Sequence, residues 1–258
     1  MTDLAWRLLL DAYEPKTKAA QYPTPGILAR HINHHTKQTP ALDLIDQALV
    51  QALNTPDARL IISMPPQEGK SVRVAGDFPV WALMQNPDCR IVTASYGADL
   101  ATRNGRAIRR RITSNDLGLT IASDNGAVGD WTLDGHEGGV FSIGIGGGVT
   151  GRPADMLIID DPIKSRAEAE SSAYRERVWD WWTDEASARL APGAPVVLIM
   201  CMTGDTPVLM ADGSEKPLRD VRPGDMVATY EDGGLATAIV RNWANQGPDD
   251  LLCIKMKS

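Results

Sequence analysis

Lys70 and Ser71 close the stretch MPPQEGKS (64–71), which follows the apolar run ARLIISM (58–64) and precedes an apolar-rich segment reaching residues 81–84. Gly-Lys-Ser between a buried strand and a helix is the ending of a phosphate-binding loop, although Met64 stands where such loops usually open with glycine. In that setting, backbone N–H groups at the helix start cradle phosphate oxygens and Lys70 neutralises the outer ones, while Ser71 offers its hydroxyl to Mg²⁺. Gln67, Glu68 and Gly69 complete the candidate nucleotide-binding set. Gln67 is read as a phosphate sensor, and Glu68 either shares that role or is an exposed turn residue. Gly-Lys-Ser alone is common, and an ordinary helix cap explains it equally well.

A second pattern changes that balance. DMLIIDD (155–161) sets four apolar residues before Asp160 and Asp161, at the carboxyl end of a strand. Two adjacent acids there are costly unless they meet a cation or face water. Paired with a phosphate-binding loop, Asp160 holds Mg²⁺ through water and Asp161 orients or deprotonates the attacking water. One strand–helix unit, CRIVTASY (89–96) and ADLATRNGRAIRRRI (98–112), lies between the two patterns, as an ATPase with an inserted central strand requires.

Other residues admit two readings each. Arg152, in VTGRP just before the acidic strand, is either an arginine finger for a neighbour's nucleotide or a loop arginine satisfied locally. Arg103, Arg106, Arg109, Arg110 and Arg111 either touch DNA phosphate or form a solvated helix face, and the solvated face is favoured. Tyr96 reads as a core or coupling residue. Trp179, Trp181 and Trp182 are expected to pack a helix on the sheet. His31, His34 and His35 lack acidic or cysteine company at ligand spacing, so no metal site is assigned to them.

The elements that must position these groups follow from texture. The 258 residues are 43% hydrophobic, enough for a globular core. No apolar block approaches the ~18–20 residues of a membrane span, so no membrane role is expected. The first sixteen residues carry Asp3, Arg7 and Asp11 through their apolar positions, an amphipathic helix pattern rather than a secretory signal. A formal net charge of −7 excludes a global basic field for nucleic acid but leaves room for a local basic strip. Three cysteines without C-x-x-C spacing fit a reduced protein without structural zinc. Residues 1–57 read as helical and irregular. From 58 to 200, continuous apolar strands alternate with helices, one of them long (165–190), which predicts an α/β fold with a mostly parallel sheet covered on both faces. After residue 200, turn signals ADGS, RPGD and EDGG recur between short strand patterns at 207–210, 226–230, 236–240 and 251–256. That is all-β meander texture, and it places a boundary between Met200 and Cys201.

IISMPPQEGKS, NPDCRIVTASYGADLATRNGRAIRRRI, GGGVTGRPADMLIIDDPIKSRAEAES and YRERVWDWWTDEASARLAPGAPVVLIM together resemble the ATPase half of a bacteriophage terminase large subunit, over about residues 25–200. A glycine-poor, proline-containing phosphate loop is normal there, so Met64 is no objection. The resemblance implies an ATP- and Mg²⁺-dependent motor packaging double-stranded DNA into a procapsid in the host cytoplasm. It further implies a homo-oligomeric ring on the portal protein, served by a small terminase subunit.

In that family the strand VVLIM continues into a Thr-Arg-Trp-type motif, whereas here Cys201 interrupts it. CMTGDTPVLMADGSEKPLRDVRPGDMVATYEDGG resembles the start of an intein, a splicing domain of the Hint type, over residues 201–258. The resemblance implies Cys201 as the nucleophile that attacks the Met200 carbonyl and converts the peptide bond to a thioester. Residues 201–258 contain no histidine, so the Thr-x-x-His block that inteins use is missing. The expectation is a precursor fragment of motor core (58–200) and partial intein (201–258), unable to splice alone and weakly active at best. Three alternatives stay open: a self-contained helicase- or recombinase-type ATPase with a β appendage, a non-catalytic module, and a buried strand-end cysteine in place of a splicing nucleophile.

Overall fold

The computed structural model describes residues 18–64, 68–148, 151–200, 207–231, 234–240 and 252–255. Gln67 and Cys201 lie outside the described residues. Two helices lead in, α1 (Pro25–Ile32) and α2 (Pro40–Leu53). Each starts on a threonine cap followed by proline. Thr24 and Thr39 accept from the N–H groups of Ile27 and Leu42, and the proline costs nothing where the helix has no N–H to use.

Eight strands form one sheet. They are β1 (Arg59–Ser63), β2 (Arg90–Ser95), β3 (Ile121–Ala127), β4 (Asp130–Leu133), β5 (Gly139–Gly144), β6 (Met156–Asp160), β7 (Val196–Met200) and β12 (Leu252–Lys255), in the order β12-β1-β7-β6-β2-β5-β4-β3. The middle five, β1, β7, β6, β2 and β5, are parallel; the strands beyond them are antiparallel. Parallel strands need crossovers that cover both faces, and the helices supply them. One face buries Leu60, Ile62, Ile91, Met156, Ile158, Val197 and Ile199 under α1, α2 and two helices introduced below. The other buries Val92, Ala94, Leu157, Ile159 and Val196 against Trp181 and Ala186.

The helix after the phosphate-binding loop, α3, runs over residues 70–85 and widens to a π turn at Arg73–Asp77. Pro79 explains the widening. It has no N–H to offer the carbonyl four residues back, and its ring crowds that carbonyl. The Phe78 N–H bonds instead to the Arg73 carbonyl, five residues back. Helix α4 (Ala98–Thr113) buries Ala101, Gly105, Ile108 and Ile112. Gly105 is needed there, because a Cβ would lie 2.3 Å from the Ser142 hydroxyl of β5.

Four expectations need correction. The helix expected over 165–190 breaks once, into α5 (Arg166–Glu170) and α6, because Ser171 is extended (ψ 117) and caps the second piece with its side chain. α6 is α-helical over Ser172–Asp180 and continues as a π turn (Trp181–Ala186) and a 3-10 turn (Ser187–Arg189). Trp181 is buried as expected and Trp182 packs partly, but Trp179 is 47% exposed. β3, β4 and β5 were not anticipated, since the Gly, Asp and Asn of 123–130 mask the inward alternation of Trp131 and Leu133, and the glycines at both ends of β5 read as loop. The strand pattern at 251–256 is found as β12, but it pairs antiparallel with β1, Ile61 opposite Ile254, rather than extending the meander.

That meander consists of β8 (Pro207–Leu209) with β9 (Glu215–Pro217), and β10 (Met226–Glu231) with β11 (Gly234–Ile239). It has an apolar cluster of its own, Met210, Val221, Val227, Ala238 and Val240, with Val208 packed against it.

Candidate nucleotide-binding site

β1 and β6 both run toward the site, where the loop and helix that follow β1 meet Asp160, the last residue of β6, and Asp161 beyond it. Gly69 (φ 87) makes the turn into α3 in the left-handed region that favours glycine. Gly69 is also the N-cap of α3 and has no side chain to bond the first N–H groups of the helix. Lys70 is 5% exposed, with its ammonium 4.0 Å from an Asp161 carboxylate oxygen. Glu68 is exposed just before the turn.

Strand alternation settles where the two acids go. Met156 and Ile158 face α3 and α4, Leu157 and Ile159 face the α6 side, so Asp160 falls on the α3/α4 face. It is 3% exposed there. Its Oδ1 accepts from the Ser71 hydroxyl at 2.9 Å and its Oδ2 from the Asn104 side-chain amide at 2.9 Å. Burial pushes the Asp160 carboxyl above its ordinary range. The Ser71 bond pulls it back, the Asp161 charge raises it again, and the Asn104 bond and Lys70 lower it. Asp161 then leaves the strand with φ 48, a left-handed conformation unusual outside glycine, held by its N–H on the Ile199 carbonyl and its carbonyl on the Tyr96 N–H. Its side chain is one-third exposed. One acid is therefore buried and fixed, and its neighbour is turned out toward solvent beside Lys70.

The donors suit a small divalent cation. A hydroxyl and a carboxylate are hard oxygen ligands of the kind Mg²⁺ takes, and they already touch one another. The Ser95 hydroxyl, on the residue opposite Asp160 in register, is buried and has no hydrogen-bond partner among the described residues.

The other candidates fall elsewhere. Arg152 forks onto Asp130 at 2.7 and 2.5 Å and lies over the Phe141 ring, on the opposite face of the sheet from Asp160. Tyr96 is half-buried at the end of β2, with the Lys164 ammonium over its ring. Arg103, Arg106 and Arg110 share the exposed side of α4. Arg111 does not belong to that solvated face. It turns inward to donate to Asp77 at 2.7 Å.

Two residues in the site's surroundings escaped the sequence reading. Asn104 lies on the inward stripe of α4, between Ala101 and Ile108, so a polar residue on an apolar stripe was the available signal. Arg73 is 2% exposed and binds Asp46, Asp77 and Gln38, joining α2, α3 and, through Asp77, α4. Its signal was an arginine four residues from an aspartate inside an apolar run.

Comparison with known proteins adds the lineage. The family model "Terminase large subunit, T4likevirus-type, N-terminal" matches residues 61–195, just over half the chain. Among solved structures, the large terminase of bacteriophage HK97 is 12% identical, with a TM-score of 0.43, covering 65% of this chain and 33% of that one. The large terminase of a thermophilic bacteriophage, in complex with ATP-γ-S, is 13% identical, with a TM-score of 0.35, covering 67% and 36%. The chain thus spans about a third of the length of the structures it resembles. No curated protein matches. The chain belongs to the terminase large subunit family, by its T4likevirus-type N-terminal region.

Proposed function

We propose that residues 58–200 are the ATP-hydrolysing core of a phage DNA-packaging motor. The observation that carries this reading is the meeting of Lys70, Ser71, Asp160 and Asp161 at the carboxyl ends of β1 and β6. Gln67, Glu68 and Gly69 form the loop around the phosphates, and Lys70 neutralises them. Ser71 and Asp160 would hold Mg²⁺, whose charge offsets that of the phosphate oxygens. Asp161, beside Lys70 and open to water, orients the attacking water or takes its proton. Arg152 acts on a neighbour's nucleotide in a homo-oligomeric ring, which requires it to leave Asp130. Double-stranded DNA, the portal protein and a small terminase subunit are the partners of that ring, in the host cytoplasm.

Asp161→Asn tests the assignment. ATP binding should stay within about threefold, since Asp161 is one-third exposed and is assigned to neither phosphate nor cation, while the steady-state hydrolysis rate falls by about 10²–10⁴, the span of a lost general base. Unchanged hydrolysis would remove Asp161 from the chemistry.

We also propose that residues 201–258 are the beginning of an intein, with Cys201 its nucleophile. The separate apolar cluster under β8–β11 supports an independent β unit; the pairing of β12 with β1 counts against a clean separation. Because residues 201–258 contain no histidine, this chain should not splice or cleave by itself. Intact mass after incubation with thiol should remain that of the full chain. Cleavage between Met200 and Cys201 that Cys201→Ala abolishes would show a competent splicing site.

A further inference from the structure

Asp160 is a buried carboxylate with two oxygens, and they are held from two different helices. Ser71 of α3 donates to one and Asn104 of α4 to the other, both at 2.9 Å. We propose that Asn104 is a positioning residue, its side-chain amide fixing the Asp160 carboxylate so that the carboxylate is already oriented when a divalent cation arrives with nucleotide. This rests on the ATPase reading above.

The geometry supports it in three ways. A carboxylate at a strand end rotates about its last torsion unless both oxygens are engaged, and here each has one donor. Each oxygen keeps a second lone pair, so the two donors orient the group without exhausting it. The reach of Asn104 is also set by packing. The next residue, Gly105, lies so close to Ser142 that any side chain would collide, and Ser142 is in turn bonded to Thr93 of β2 at 2.9 Å. α4 is therefore pressed on the sheet at the point where Asn104 leaves it. An aspartate there would oppose Asp160 with a second negative charge, and an alanine would leave Oδ2 without its donor.

The test uses the full chain and a non-hydrolysable ATP analogue, with affinity measured in excess Mg²⁺ and again in EDTA. In Asn104→Ala the gain in affinity that Mg²⁺ gives should shrink about 10- to 100-fold, the usual loss when a partner of a metal ligand is removed. Affinity in EDTA should change less than about threefold. Asn104→Asp, which keeps the shape and loses the donor, should lose at least as much, and Asn104→Gln should recover part of it. A wild-type Mg²⁺ gain in Asn104→Ala, or in Asn104→Asp if the alanine variant does not fold, would overturn the proposal. If neither folds, Asn104 is structural and the proposal falls. Absence of any Mg²⁺-dependent binding in the unmodified chain would instead remove the ATPase reading itself.

Discussion

Lys70→Ala should weaken ATP binding by about 10- to 100-fold, the loss expected when bonds from a buried ammonium to phosphate, worth about 1.5–3 kcal/mol, are deleted. The size follows from where the ammonium sits. Lys70 is 5% exposed, so its charge acts in a poorly screened setting, and Asp161 is 4.0 Å away. A thermal or denaturant melt checks this without an activity assay. At a nucleotide concentration about 100-fold above the dissociation constant, ATP should stabilise the unmodified chain by about 2.7 kcal/mol. A variant 100-fold weaker should gain only about 0.4 kcal/mol at the same concentration. Equal stabilisation of both would eliminate the phosphate-loop assignment, and with it every ATPase reading of the chain. It would leave the non-catalytic module standing.

The parts of this site that could be read from sequence are those in which one residue type has few other uses. Two acids at the end of a buried strand are a costly placement without a cation or water, they give the otherwise common Gly-Lys-Ser its meaning, and both patterns lie at the expected strand ends. β5 was missed, but the other four parallel strands, β1, β2, β6 and β7, were legible, because strands buried on both faces lose their alternation. The antiparallel strands β3 and β4 were not, since their polar residues look like loop and only the pairing with β5 gives them a ladder. Arg111 was misread because five arginines in one helix suggest one solvated side. The helix sends Arg103, Arg106 and Arg110 outward but turns Arg111 toward Asp77. Asn104 and Arg73 depend on contacts between helices distant in sequence, and a single sequence carries no record of those. The break at Ser171 was available in principle, since serine caps helices, but the Glu and Arg around it favour helix more strongly.

Arg73→Met should cost about 3–5 kcal/mol of folding stability, about a fifth or more of a typical domain's margin. Arg73 and Asp46 are 2% and 3% exposed, with the guanidinium 2.6 Å from both Asp46 oxygens. Deleting the cation leaves Asp46 buried with Gln38 as its remaining side-chain donor among the described residues, while Asp77 keeps Arg111. The loss therefore falls mainly on Asp46, and Arg73→Met with Asp46→Leu should recover most of it, since a buried pair replaced by apolar groups is often neutral or better. The pH dependence gives an independent check. Burial already pushes the Asp46 carboxyl above its ordinary 3.8, and the Arg73 bond and charge are the first two influences holding it down. Without Arg73 the folded value rises further, so the folded variant binds a proton that the unfolded chain has released. Stability attributable to this group is then present below 3.8 and lost as pH climbs through the higher folded value. The deficit of Arg73→Met should accordingly narrow on acidification toward that range, measured by urea denaturation across pH. A deficit below about 1 kcal/mol, or one that widens as pH falls, would show that the Arg73–Asp46 pair does not hold α2 to α3 as the geometry implies.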